Sequence, residues 1–173
     1  MTYAERVLAV RIEFPGFIIR RKSHSTFMKV LAFLLFFNKS FMTSYVTTIG
    51  RWMWTPENWD SWDDETKERI LRHEAVHLRQ QRRLTFPLYA LLYLLFPLPL
   101  GLAWFRARLE WEAYSETIRS LADSKGLAYV QDATTRGVFI SYFTSGAYGW
   151  MWPFSEQVGK WYDKLVDQIQ RNS

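Results

Sequence analysis

The stretch His73-Glu74-Ala75-Val76-His77 sets two histidines and an acid at helical spacing inside a charge-rich segment, and the rest of the chain is read outward from it. Residues four apart on an α-helix stand one turn above each other, about 6 Å along the axis, so the His73 and His77 imidazoles can converge on one tetrahedral metal ion. Glu74 is turned about 100° further round, able to address a metal-bound water without ligating the metal. Zinc lowers the pKa of such a water towards roughly 7, and a carboxylate beside it can take the proton as water attacks a carbonyl, then give it to the leaving amine. Two of the chain's three histidines fall in this pentad. On a helical wheel Ile70, Leu71, Glu74, His77, Leu78 and Leu84 share one side, while Glu68, Arg72, Arg79, Arg82 and Arg83 share the other. The histidines are therefore expected to face inward, and the arginines to form a solvated helix back.

Upstream, Asp60 or Ser61 is expected to cap this helix, and Asp63, Asp64 and Glu65 suit its positive end. The cluster Trp52, Trp54, Trp59 and Trp62 around Pro56 reads as a satellite core under a loop. Thr43 to Ile49 is rich in β-branched residues and stops at Gly50, the pattern of a strand. Alternation of Leu8, Val10, Ile12 and Phe14 favours a strand over Arg6 to Phe14, with a second over Phe17 to Arg20 after the Pro15-Gly16 turn. Ser25 is expected to cap a helix running to about Phe37 that is apolar nearly all round, which calls for deep burial or contact with lipid.

Downstream, the zinc helix is expected to reach Leu84, with Thr85 capping a new helix that carries Pro87 in its first turn. No residue from Leu84 to Phe105 is charged. A single crossing of a bilayer there would part His77 from everything after Arg106, so a spanning helix and a completed metal site exclude each other. A hairpin about Pro97 to Gly101, buried in protein or dipping into a membrane surface from one side, keeps both ends together.

A third ligand is then required. His24 reads as a partly exposed polar residue, and Arg83 stands where a third histidine six residues past His77 would be. The helical run Arg108 to Gly126 carries Glu110, Glu112 and Glu116. Glu110 shares a face with Ala113, Tyr114, Thr117 and Leu121, whereas Glu112 shares one with Glu116, Arg119 and Asp123. Glu110 is thus the expected ligand.

HExxH followed by a helix-borne Glu resembles the gluzincin metallopeptidases, whose downstream Glu opens an ExxAD-like motif. Here Glu110 and Ala113 match, while Tyr114 stands where many members carry the Asp that orients a zinc-ligating His. The resemblance spans about fifty residues, rests mainly on HExxH, and implies a two-helix active-site core with the preceding strand as an edge for extended peptide. It also implies a hydroxyl or imidazole donor for the tetrahedral oxyanion. Tyr148 in the glycine-hinged aromatic stretch Gly146 to Phe154, or Tyr142, would fill that role, each with the alternative of an aromatic plug closing the core. The Tyr114 hydroxyl would take over the orienting role.

Asp132 to Ser145 fits either strand or helix, and Ser155 should cap a final amphipathic helix through Val158, Trp161, Tyr162, Leu165, Val166 and Ile169. With 173 residues, 49% of them apolar, the chain is long enough for one well-packed domain over residues 1–173. A net charge of +5 does not by itself make a nucleic-acid binder, and the absence of cysteine excludes disulfides and thiolate ligands. The first residues lack a signal-peptide pattern, which favours a cytoplasmic chain, with membrane association through residues 84–105 left open. The expected architecture is a mostly helical α+β fold with a zincin-like active-site helix, a Glu helix and a small N-terminal sheet. The expected function is zinc-dependent hydrolysis of a peptide or protein, with His73, His77 and Glu110 as ligands and Glu74 as base. The alternatives are a non-catalytic structural or membrane-surface protein stapled by zinc, and a latent enzyme.

Overall fold

A computed structural model describes residues 1–34, 40–95, 103–146 and 151–172. It is a mostly helical α+β structure with one small mixed sheet. The chain forms two compact units, Met1–Gln81 and Arg82–Ser173.

The first unit opens with α1 (Tyr3–Glu13), where a strand was expected. The reason lies in two devices that the alternation hid. Thr2 and Glu5 form a capping box, the Thr2 side chain accepting from the Glu5 N–H while the Glu5 carboxylate accepts from the Thr2 N–H. Tyr3, Val7, Val10 and Phe14, at helical spacing, then pack with Phe17, Met53, Leu71, Ala75 and Leu78 in one core. Leu8 and Ile12, half of the supposed strand face, are exposed.

Three strands follow: β1 (Ile18–Arg21), β2 (Thr47–Ile49) and β3 (Trp52–Thr55), in spatial order β1-β3-β2. β1 runs parallel to β3 with Ile19 opposite Met53; β2 runs antiparallel to it with Thr48 opposite Met53. The strand expected over Thr43 to Ile49 is shorter, because Thr43 and Ser44 turn back onto Ser40 through their N–H groups. The tryptophan-rich segment expected as a loop is partly the central strand. Trp52 and Trp54 lie on it, Met53 points to the opposite face with no exposure, and Trp59 packs beside Trp62 in a short 3-10 turn.

Between β1 and β2 lies α2 (Thr26–Leu34), capped as expected by the Ser25 hydroxyl, which accepts from the Met28 N–H at 3.2 Å. The expected continuation to Phe37 lies outside the described residues. α3 (Asp64–Leu84) carries the HExxH pentad, and its cap is Asp63, whose carboxylate accepts from the Thr66 N–H at 2.7 Å. Asp60 and Ser61, the residues expected to do this, belong to the preceding 3-10 turn, and Asp60 pairs with Arg21. Glu68, placed on the solvent side by the wheel, is buried and held by Arg6 at 2.7 Å.

The second unit begins after Gln81. Thr85 takes a left-handed φ of 63° ahead of α4 (Phe86–Ala90), with Pro87 in its first turn and no side-chain cap from Thr85, followed by a π-helical turn over Leu91–Leu95. The proposed hairpin at Pro97 to Gly101 lies outside the described residues. Among the described residues no helix is long and apolar enough to cross a membrane. α5 (Trp104–Lys125) starts a turn before its expected beginning and ends at Gly126, whose φ of 88° is open to glycine and costly to other residues. α6 (Leu127–Gln131), α7 (Ala133–Thr144) and α8 (Ser155–Asn172) complete the unit. The ambiguous Asp132 to Ser145 segment is helical because Asp132 caps it and Phe139 and Phe143, one turn apart, bury together against Ile118, Val158 and Tyr162.

Candidate metal centre

α3 places His73 and His77 as their spacing requires, with ring centroids 5.0 Å apart and planes at 75°. His77 and Glu74 are buried, while His73 is half-buried. The His77 Nδ1 lies 3.0 Å from Oε1 of Gln80, a side chain that is itself 2% exposed. In the tautomer that donates from Nδ1 to Gln80, Nε2 would be the ring nitrogen that ligates a metal. Gln80, rather than the Tyr114 hydroxyl that was expected, is thus a residue that can orient His77. Its position three residues past His77, on the same helix face, was the available signal. The neighbouring Gln81 is committed elsewhere, its Oε1 accepting from the Gly50 N–H at 2.8 Å.

Lys22 was not foreseen: it follows the basic residues Arg20 and Arg21, and nothing in its local sequence marks it for burial. Lys22 is instead fully buried. Its Nζ donates to the Phe41 carbonyl at 2.6 Å and stands 3.8 Å from the centre of the Phe41 ring. Removal from water lowers its pKa from an ordinary 10.5 to about 7, and the nearby Glu74 carboxylate acts in the opposite sense, favouring the cation. The expected general base therefore has a lysine within its electrostatic reach.

On α5, Glu110 is buried and Glu112 is half-exposed, paired with Arg83 at 3.3 Å, which is the division expected from the wheel. The Tyr93 hydroxyl donates a short hydrogen bond to Glu110 Oε1. Burial in the first place, and the Glu110 charge in the second, push the Tyr93 pKa well above the usual tyrosine value, so the phenol keeps its proton as a donor. The Arg106 guanidinium lies 5.2 Å from the centre of the Tyr93 ring. Tyr93 is seventeen residues from Glu110, inside an uncharged stretch, and nothing in local spacing marks it.

His73 and His77 of the first unit each offer a ring nitrogen as a metal ligand, and Glu110 of the second unit offers a buried carboxylate. Of the tyrosines expected nearby, Tyr114 and Tyr142 lie together. Tyr114 is buried in the aromatic core of the second unit, stacked on Tyr142 at 5.2 Å and 22° and edge-on to Phe139 and Phe143. Tyr148 lies outside the described residues. His24 is exposed, in keeping with its reading as a surface residue.

No family model, curated protein or solved structure matches the chain.

Proposed function

We propose that the protein is a zinc-dependent hydrolase, in the first instance a metallopeptidase, with His73, His77 and Glu110 as protein ligands and Glu74 as general base. The observation that carries this reading is the pair His73 and His77 one turn apart on the HExxH helix, ring centroids 5.0 Å apart, with Glu74 buried between them in sequence; buried Glu110 is the third ligand the reading requires. Two further contacts support it. Gln80 holds His77 by Nδ1 and Tyr93 holds Glu110 by Oε1, the outer-shell pattern by which metal ligands are kept in one orientation.

A zinc ion bound there would supply a Lewis acid that polarises a carbonyl and lowers the pKa of its water. Glu74 would accept a proton from that water as it adds to the peptide carbonyl and would return it to the departing amine nitrogen. Lys22 lies within electrostatic reach of Glu74, whose carboxylate favours the lysine's cationic form. β2, at one edge of the sheet, is the element suited to align an extended peptide by backbone hydrogen bonds. Peptide is preferred over other amides through the gluzincin resemblance.

Glu74→Gln tests the mechanism. The variant is expected to keep zinc and to lose turnover of a mixed peptide library by at least about a hundredfold, the usual weight of a general base. Turnover equal to wild type with zinc retained would exclude Glu74 as the base.

A further inference from the structure

The segment from Phe14 to Pro56 contains no Asp or Glu and six Lys or Arg residues, an imbalance that accounts for much of the chain's net positive charge. In its middle lies α2, whose two sides differ in surroundings but not in polarity. Met28 is buried against Phe41 and Trp54, with Leu31 and Ala32 packed beside it. The other side presents Phe27, Val30 and Phe33, exposed to 56%, 54% and 80%, together with Lys29. Positions 27, 30 and 33 follow helical spacing, so these side chains make one apolar stripe pointing away from the core.

The basic residues divide in a way that defines a charged border. Lys22 is buried and Arg21 is paired with Asp60. Arg20, Lys29 and Arg51 are exposed. The Arg20 guanidinium lies 5.6 Å and 5.8 Å from the ring centres of Trp52 and Trp54, and that of Arg51 lies 5.4 Å from Trp52. Those tryptophans belong to the cluster on which the inner side of α2 packs. An exposed Phe/Val stripe with Lys29 on the same helix, in a unit that also exposes Arg20 and Arg51 on amphipathic indole rings, matches the chemistry of a lipid interface, with acyl chains for the stripe and headgroup phosphates for the cations.

We infer that α2 docks this unit on an anionic membrane surface, with Phe27, Val30 and Phe33 inserted at the headgroup boundary and Arg20, Lys29 and Arg51 on lipid phosphates. The nine described residues of α2 span about 14 Å, and their exposed stripe along one side suits a helix lying in the plane of the interface. Charge selects lipid over a second copy of the chain. A symmetric contact through this face would bring two sets of Arg20, Lys29 and Arg51 together, with no acidic residue of the segment to neutralise them. The docking does not depend on the metal reading.

The test is co-sedimentation of the full chain with phosphatidylcholine vesicles prepared with and without phosphatidylserine, at low and high salt. Wild type is expected to bind the anionic vesicles at least about tenfold more tightly than the neutral ones and to weaken with salt. Phe27→Ser/Phe33→Ser should lower binding by about tenfold or more, and Lys29→Glu/Arg51→Glu by a similar factor. Circular dichroism checks that each variant is folded, and Phe33→Ser alone is the substitute should the double variant not be. Failure to bind anionic vesicles, equal binding to neutral ones, or binding unchanged by the Phe substitutions would each overturn the proposal, the last by moving the contact to another surface such as residues 84–105. Self-association of wild type that the Phe substitutions abolish, without vesicle binding, would overturn it in favour of a second copy.

Discussion

Replacing Lys22 by methionine keeps an unbranched stem beside Phe41 and removes the amine, so the difference between the two proteins isolates one buried titration. The shift from 10.5 to about 7 corresponds to at most roughly 5 kcal/mol at about 1.4 kcal/mol per pKa unit. The sign follows from which state holds the proton. Below about pH 7 both the folded and unfolded chains are protonated at Lys22, and the full cost of burying the cation opposes folding. Between about pH 7 and 10.5 only the unfolded chain holds the proton, so the folded state gains about 1.4 kcal/mol per pH unit. Above the unfolded pKa neither state holds it and the cost is gone. Urea unfolding of both proteins at about pH 7.5 and about pH 9.5 is the assay, and wild type should gain roughly 2–3 kcal/mol relative to Lys22→Met over that interval. The change in the difference matters, since other titrating groups contribute equally to both proteins. Stability profiles that stay parallel would refute the claim that Lys22 is desolvated in the folded protein.

Other expectations follow from the same contacts. Gln80→Leu and Tyr93→Phe each remove a partner from a proposed ligand while keeping most of the side-chain volume, and each should weaken zinc binding by about 10–100-fold in a chelator competition, with an unchanged far-ultraviolet spectrum. Affinity equal to wild type in both would remove the orienting role given to these residues. Phe143→Ala deletes a fully buried ring that packs against Tyr114, Trp111 and Trp161, and should cost about 3–5 kcal/mol in denaturant unfolding. A loss below about 1 kcal/mol would mean that the aromatic core of the second unit is not packed as described.

The parts of the fold that were legible in the sequence are those where one signal dominated. The α3 helix has acids at its start, basic residues at its end and a single apolar period, and its boundaries were readable to within a few residues. Gly126 announced the end of α5, and the wheel separated buried Glu110 from half-exposed Glu112. The α1 segment was misread because its apolar residues satisfy two periods at once. The period of two picks out Leu8 and Ile12, which are exposed, while the helical period picks out Tyr3, Val7 and Val10, which pack in the core. The choice was made by a capping box at Thr2, upstream of the run itself.

The candidate site divides along the same line. Its proposed ligands and base are marked by spacing on single helices, and so is Gln80, once the question of what holds His77 is asked of the next turn. Tyr93 and Lys22 become visible only through tertiary packing. Tyr93 reaches Glu110 from another element of the second unit, and Lys22 belongs to a basic run whose other members stay in contact with water or a surface acid. A buried lysine inside such a run has no local signature, because its burial is decided by Phe41, nineteen residues away.

Zinc stoichiometry by elemental analysis of the purified wild type, with His77→Ala and Glu110→Ala beside it, tests the central claim most directly. One zinc per chain in wild type, lost or weakened by at least about a hundredfold in both variants while each remains folded, is the predicted result. A folded wild type that takes up no zinc when it is supplied, or binding unaffected by either substitution, would contradict it.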